Sequence, residues 1–221
     1  MVIPAYQAEK TVRSLAAELV GQGFPVIVVD DGSTDRTAEL AAESGAQVIR
    51  RRRNGGKGAA LREGFSAARN GGYAWVLTLD ADGQHLPSEI PRFLEVKGKG
   101  AEAVLGNRMG DPRGMPLDRL LANRWMSWVI SRMADQHIPD TQCGFRLISR
   151  RVLDGLTLTS DRFEIDSELV LRMGWAGVPI RSVPVSSVYR KELSFIRPLR
   201  DTFRFLLFLR RMRRQRPSPK R

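Results

Sequence analysis

Along the first half of the chain, apolar residues recur with helical period, give way to short unbroken runs, and then recur again. Val12, Leu15, Ala16 and Leu19 fall on one face of a helix expected over residues 9–20, closed by Gly21 and Gly23. Val26-Ile27-Val28-Val29 is a continuous β-branched run, the pattern of a strand covered on both faces. Ser33 and Thr34 are placed to cap a helix through Ala38, Leu40 and Ala41 to Gly45, and Val48-Ile49 is the next strand. Lys57 to Ala68 reads as a helix with Leu61, Phe65 and Ala68 on one face, followed by a strand over Trp75–Leu79. A helix over Pro87–Val96 and a strand over Ala103–Leu105 complete the series. Val2-Ile3-Pro4 reads as the tail of a first strand, which leaves room for a native start upstream of Met1. Repeated β-α-β units of this length predict an α/β fold with a mostly parallel, doubly wound sheet flanked by helices.

Beyond Gly106 the rhythm changes. Residues 117–134 form a long helical stretch with Leu120, Leu121, Trp125, Trp128 and Val129; its two tryptophans are expected to pack in a core or interface rather than stack on a sugar. Strands are expected over Phe145–Ile148 and Val178–Val188, with a helix over Ile165–Met173 between them. Leu199–Met212 is a final helix with apolar and basic faces, and the last residues are a frayed tail. No internal repeat or low-complexity linker interrupts this order. We expect one domain over residues 1–195 and a basic amphipathic extension over 196–221.

Composition changes this picture in one respect. The 221 residues carry a net charge of +12, which calls for an anionic partner: a phosphate-bearing substrate, an acidic membrane surface or nucleic acid. No recognition-helix, zinc-ligand or RNA-binding signature accompanies the charge, so no specific nucleic-acid partner is expected. The single cysteine, Cys143, excludes an intrachain disulfide and fits a reducing compartment. No apolar run reaches the roughly 20 residues a membrane-spanning helix needs, and Glu9 and Lys10 break any leader pattern. The expected location is cytoplasmic, peripheral on the inner face of the membrane.

The unusual polar clusters follow the expected strands, where open parallel sheets bind ligands. Val29 leads into Asp30-Asp31-Gly32-Ser33-Thr34-Asp35, Leu79 into Asp80-Ala81-Asp82-Gly83-Gln84-His85, and Leu105 into Gly106-Asn107-Arg108. Asp80 and Asp82, one residue apart, can converge on a hard cation that keeps positions open for water and phosphate, and Gln84 can add a neutral oxygen. The same residues also fit a solvated acidic turn. Asp30 and Asp31 fit either turn chemistry or acceptors for a nucleobase or ribose. Asn54-Gly55-Gly56-Lys57-Gly58 enters a helix as an anion cradle would, without the spacing of a Walker loop.

Taken in order, Pro4-Ala5-Tyr6, Val28 to Asp35, Gly56-Lys57-Gly58, Asp80 to His85, Gly106-Asn107-Arg108 and Asp140-Thr141-Gln142-Cys143-Gly144-Phe145-Arg146 resemble the family 2 glycosyltransferases with a GT-A fold. The Asp-Ala-Asp-x-Gln-His-x-Pro version is similar to the dolichol-phosphate mannose synthase-like branch, which glycosylates polyprenyl phosphates. The resemblance covers roughly residues 1–195 and implies an inverting hexosyltransferase using a GDP- or UDP-linked donor. It implies that Pro4, Tyr6, Asp30 and Asp31 surround the nucleoside, with Glu9 standing where the family often has an Asn-Glu pair after the tyrosine. It implies that Asp80, Asp82 and Gln84 hold Mg²⁺ or Mn²⁺ against the diphosphate, with Lys57 and Arg108 close to the phosphates. Asp82, Asp140 and Arg146 would serve the reacting centre. A late Tyr-x-x-Glu-x-Ser pattern is matched by Tyr189, Glu192 and Ser194, and Arg190, Lys191 and Ser194 would meet acceptor phosphate.

The remaining basic residues suit a lipid acceptor. Arg50 to Arg53 is one run, and Arg210, Arg211, Arg213, Arg214 and Arg216 follow Phe203 to Leu209. A basic helix with an apolar face lies in a membrane interface, although the same helix could pack its Phe and Leu residues on a core. Another lipid or a glycan remains the alternative acceptor. His85 reads as a neighbour of the metal ligands rather than a ligand, His137 as a solvated loop residue, and Cys143 as a small turn residue.

Overall fold

The computed structural model describes residues 1–186 and 198–217, so Tyr189, Arg190, Lys191, Glu192 and Ser194 lie outside the described residues. The chain forms two compact units, one ending at Tyr189 and the other beginning at Arg190.

The first unit is built on a seven-stranded sheet. In chain order its elements are β1 (Val2–Ala5), α1 (Val12–Gly21), β2 (Ile27–Asp30), α2 (Thr37–Glu43), β3 (Gln47–Arg50), α3 (Lys57–Asn70) and β4 (Trp75–Thr78). A 3₁₀ turn (Pro87–Glu89) precedes α4 (Ile90–Gly98), then β5 (Ala103–Asn107), α5 (Leu117–Ala134), β6 (Arg146–Ser149), α6 (Arg150–Asp154), α7 (Ile165–Trp175) and β7 (Ile180–Pro184). The strand order is β3-β2-β1-β4-β6-β5-β7. β1, β2, β3 and β4 are parallel, as are β5 and β7. β6 alone runs antiparallel, wedged between β4 and β5.

The apolar runs explain the strands. Ile3, Val28 and Val29, Leu77 and Val104 are almost wholly buried. Ile3, Val28, Leu77 and Val104 join Leu15, Ala16 and Leu19 of α1 and Phe93 of α4 in one core. Burying each large side chain contributes about 1.5 to 3 kcal/mol. Phe93 stacks on Phe145 with ring centroids 4.2 Å apart, fixing the loop before β6 against α4. α3 crosses β1 and β2 at Gly64, where a Cβ would press on Val2 and Val29.

β6 is the antiparallel member of the mostly parallel sheet, a direction an isolated apolar run cannot reveal. One expectation needs revision. α2 begins at Thr37 without a side-chain cap from Ser33 or Thr34, because those hydroxyls serve the neighbouring loop instead. Asp35 takes over locally, accepting from the Thr37 amide at 3.1 Å and the Thr37 hydroxyl at 2.5 Å. Of the core or interface expected for Trp125 and Trp128, exposures of 43% and 62% exclude the core, and α5 buries Ser127, Ile130, Met133 and Ala134 instead.

The second unit contains α8 (Pro198–Gln215). Its Phe203, Leu206 and Leu207 are exposed. Among the described residues, no helix is long and apolar enough to cross a membrane.

Candidate active site

Parallel β1, β2, β3, β4 and β5 all direct their carboxyl ends to one edge of the sheet. Antiparallel β6 brings its amino end there too. Thr78 of β4 pairs with Arg146 of β6, so the Asp80–His85 loop leaving β4 meets the Asp140–Phe145 loop entering β6. Thr78 Oγ1 donates to Gly144 O at 2.7 Å, fastening the two. A Cβ at Gly144 would run into the Asp80 carboxylate, so the glycine makes room for it. On the other side, Thr11 Oγ1 donates to Ala81 O at 2.5 Å, tying the same loop to the one after β1.

Asp80 does not stand alone. Lys57 Nζ, at the start of α3, lies 2.7 Å from Asp80 Oδ1 and 2.9 Å from Asp166 Oδ2 of α7. Arg146 Nη1 lies 3.2 Å from the other oxygen of Asp166. Carboxylates and cations thus alternate in the order Asp80, Lys57, Asp166, Arg146. Burial would push the Asp80 carboxyl up, but Lys57 outweighs it and holds the pKa at about 2. Burial likewise opposes the Lys57 charge, and Asp166 and Asp80 more than restore it, raising the ammonium above its usual range. His85 Nε2 sits 3.9 Å from Asp80 Oδ2, and burial lowers the imidazole to about 4, leaving it neutral at physiological pH. Its ring packs on Phe145 at 5.4 Å between centroids, as expected of a neighbour of the acidic pair.

A second pair lies at the end of β5. Arg108 Nε and Nη2 donate to the two Asp140 oxygens at 2.7 and 3.0 Å, and the Arg108 amide adds a bond of 3.1 Å. Burial opposes the Asp140 charge, yet Arg108 holds the carboxyl below the usual carboxylate range. Arg146, expected at the reacting centre, is only 1% exposed. Its Nε and Nη2 donate to Cys143 O at 2.7 Å and Thr141 O at 2.9 Å, so it holds the loop from beneath rather than facing a ligand. Cys143 is buried there, its thiol pushed up to about 12 by burial, consistent with a packing role.

The loops after β1, β2 and β3 form the other side of the site. Pro4 is buried within β1, while Tyr6 and Glu9 are exposed. Gln7 adopts φ of +52° and stitches two loops together. Its amide donates to Ser33 Oγ at 3.0 Å and its Nε2 to Thr34 Oγ1 at 2.9 Å. Glu9 accepts from the Arg36 amide at 3.4 Å, so it too contacts the loop after β2. Asp30 is fully buried; its Oδ1 accepts from the Ser33 amide at 3.1 Å, while Oδ2 has no hydrogen-bond partner and finds Arg50 Nε only at 3.7 Å.

The glycine-rich turn does cradle an anion, but it is Asp31. Gly55 N donates to its carboxylate at 3.0 Å and Gly56 N at 2.6 Å, and Arg51 pairs with it. Asp31 therefore shapes the turn, a different duty from the direct nucleoside contact expected of it. The Cβ of any other residue at Gly58 would collide with Ser160 O, so the next loop closes on α3. Glu168, fully buried in α7, holds that loop by accepting from Thr159 N at 3.0 Å and Ser160 N at 2.7 Å. Neither Asp166 nor Glu168 stands out in the sequence. Their only signal is acidity inside a helix whose neighbours are apolar.

Among the described residues, no cluster of three His, Cys, Asp or Glu side chains surrounds a common metal position. Asp80 and Asp82 nevertheless offer hard oxygen ligands on one loop, and Gln84 follows, its amide donating to Asp82 Oδ1 at 3.0 Å. Two carboxylates suit a divalent cation that fills its remaining positions with water and phosphate oxygens. The donor chemistry therefore fits Mg²⁺ or Mn²⁺.

Residues 1–157 match the family model described as glycosyl transferase family 2. The chain belongs to that family. Its membership makes it a glycosyltransferase, and its sheet with flanking helices is the GT-A fold. The chain is 29% identical to the UDP-N-acetylglucosamine–dolichyl-phosphate N-acetylglucosaminyltransferase of Methanococcus voltae, covering 95% of this chain and 93% of that one. It is 31% identical to glycosyltransferase AglJ of Haloferax volcanii, over 91% and 67% of the two chains. It is 29% identical to the polyprenol monophosphomannose synthase of Mycolicibacterium smegmatis, over 86% and 77%. Glucosyl-3-phosphoglycerate synthase from Mycobacterium tuberculosis, solved with Mn²⁺, UDP and glucosyl-3-phosphoglycerate, superimposes with a TM-score of 0.70. At 22% identity, covering 91% of this chain and 73% of that one, this likeness concerns the fold.

Proposed function

We propose that this family 2 enzyme transfers a sugar, with inversion, from a GDP- or UDP-linked donor to a polyprenyl phosphate at a membrane surface. The acceptors named for the Methanococcus and Mycolicibacterium relatives support this reading. The observation that carries it is the state of Asp140. This carboxylate is ion-paired through both oxygens and held below its usual range. That makes it a poor general base, because a useful base has a pKa near the working pH. A phosphate monoester has its second pKa near about 6 and is already largely anionic at neutral pH, so it attacks without losing a proton to the enzyme. Asp140 then fixes Arg108, and Arg108 orients phosphate at the end of β5.

Asp80 and Asp82, with Gln84 beside them, would hold Mg²⁺ or Mn²⁺, which supplies charge neutralisation for a nucleoside diphosphate leaving group. Lys57 secures Asp80 in ionised form and adds positive charge beside the same edge. Tyr6, exposed between the loops after β1 and β2, is positioned to meet the nucleoside. Asp30 and Asp31 build the floor and wall of that region. Arg190, Lys191 and Ser194 would meet the acceptor phosphate. For α8, the exposed Phe203, Leu206 and Leu207, followed by Arg210, Arg211, Arg213 and Arg214, support docking on an anionic membrane surface.

The test is transfer from a panel of GDP- and UDP-sugars to a short polyprenyl phosphate in detergent, with Mg²⁺, Mn²⁺ or EDTA. Metal-dependent glycolipid formation, abolished by Asp82→Asn, is the expected result. Metal-dependent donor hydrolysis with no transfer to that lipid would remove the polyprenyl-phosphate assignment and point to another lipid or a glycan.

A further inference from the structure

The exposed side of α5 has no part in the site just described. Leu117, Leu121, Trp125 and Trp128 fall at i, i+4, i+8 and i+11, one face of the helix, with exposures of 68, 57, 43 and 62%. The opposite face supplies the buried residues Ser127, Ile130, Met133 and Ala134. A helix normally turns its apolar stripe inward; α5 buries one side and keeps a second, tryptophan-bearing stripe outside.

Charge accompanies the stripe. Arg124 and Arg132 stand one turn before and one turn after Trp128, both exposed, and the helix carries three arginines against one acid, Asp118. Among the described residues, neither Arg124 nor Arg132 is within salt-bridge distance of a carboxylate. Beside them opens a groove of about 780 Å³ lined by Arg124, Trp128, Arg132, His137 and Pro139. Arg124, Trp128 and Arg132, one turn apart along α5, line it together, so its lining joins an apolar ring to two cations. The other titratable group lining it is Asp135, at the carboxyl end of the helix.

We infer that this face of α5 is a docking surface for an anionic phospholipid bilayer, with Trp128 and the leucines entering the interface and Arg124 and Arg132, one turn to either side of Trp128, meeting lipid phosphates. Tryptophan beside arginine is the pairing an interface between hydrocarbon and headgroups favours. Each basic residue near an anionic surface adds on the order of 1 kcal/mol. Charge complementarity decides against a second copy of the chain as the occupant. A two-fold axis crossing α5 at Trp128 would set Arg124 of one copy against Arg132 of the other, and like charges facing one another at an interface are costly. The inference accords with a membrane acceptor but concerns a surface separate from the residues proposed to handle donor and acceptor phosphate.

The experiment is flotation of the full chain with vesicles of phosphatidylcholine alone or mixed with phosphatidylglycerol. It compares the parent with Leu121→Ala/Trp128→Ala and with Arg124→Gln/Arg132→Gln. Metal-dependent donor hydrolysis without lipid is the control for folding. We expect the parent to float with the phosphatidylglycerol vesicles. Both double variants should lose about tenfold or more of that partitioning and keep their donor hydrolysis, and brominated lipid should quench the parent's tryptophan emission but not that of the Trp128 variant. Partitioning unchanged in both variants would overturn the inference. So would sedimentation showing a parent dimer that the Trp128 variant loses while still floating normally. Transfer to polyprenyl phosphate in detergent reports on the proposed reaction independently, so failure of one reading is distinguishable from failure of the other.

Discussion

The two sides of the active edge are held together by different means. After β1, β2 and β3, the loops are joined mainly by hydrogen bonds, from Gln7 to the Ser33 and Thr34 hydroxyls and from the Gly55 and Gly56 amides to Asp31, with one ion pair, Arg51–Asp31, among them. Between β4 and β6, the loops are held by full charges drawn from α3, α7 and β6, alternating from Asp80 to Arg146. The first side is a hydrogen-bonded wall that shapes space. The second is a charged assembly whose members depend on one another, so losing one cation should damage it far more than losing one bond damages the wall.

Lys57→Met makes the sharpest break. It leaves buried Asp166 and half-buried Asp80 without their shared cation, and removing one partner of a buried pair such as Lys57–Asp166 costs about 3 to 5 kcal/mol. Thermal unfolding should show the fall directly. Asp82→Asn should lower metal-dependent turnover about a hundredfold or more, corresponding to about 2.7 kcal/mol of transition-state stabilisation, with little change in melting temperature. Similar loss of stability in Asp82→Asn and Lys57→Met would erase the distinction between ligand and scaffold.

Gly144→Ala comes next, at about 1 to 3 kcal/mol, because the added Cβ must displace the Asp80 carboxylate. On the hydrogen-bonded side, Gln7→Ala should cost only about 1 kcal/mol. An equal loss from these two variants, read by chemical denaturation, would make the two sides alike.

The pH dependence separates them further. Asp140 has a depressed folded-state pKa, so its ion pair contributes stability above the unfolded carboxyl value of about 3.9. That contribution is lost as pH falls through the lower folded value. The stability gap between the parent and Asp140→Asn should therefore be widest near neutrality and close under acid. A gap that widens on acidification would contradict the ion-pair account.

This contrast also marks what the sequence could reveal. The strands and α3 were legible because Val26–Val29 and Lys57–Ala68 carry clean periodic signals. The acidic pair was legible because Asp80 and Asp82 follow a strand at a carboxyl edge. The partners were not, because Lys57 and Asp166 stand 109 residues apart and meet only after β6 inserts antiparallel beside β4. The burial of Arg146, expected at the reacting centre, was not legible for the same reason: a motif gives proximity but not burial. Asp31 was expected beside the nucleoside, and no spacing rule shows that Gly55 and Gly56 would claim its carboxylate. The tryptophans of α5 were expected in a core or an interface, and only the packing of Ile130 and Met133 shows which side of the helix is buried.

The central claim is that the nucleophile arrives already ionised and needs no base from the enzyme. The direct measurement is kcat/KM for a short polyprenyl phosphate and for the matching free polyprenol, with one donor and saturating Mg²⁺ across pH 5 to 9. The account predicts transfer to the phosphate alone, with a rate that rises through the acceptor's second ionisation near about pH 6 and then levels. Transfer to the free alcohol at a comparable rate would contradict it, since that acceptor requires a base that Asp140, locked to Arg108, does not supply.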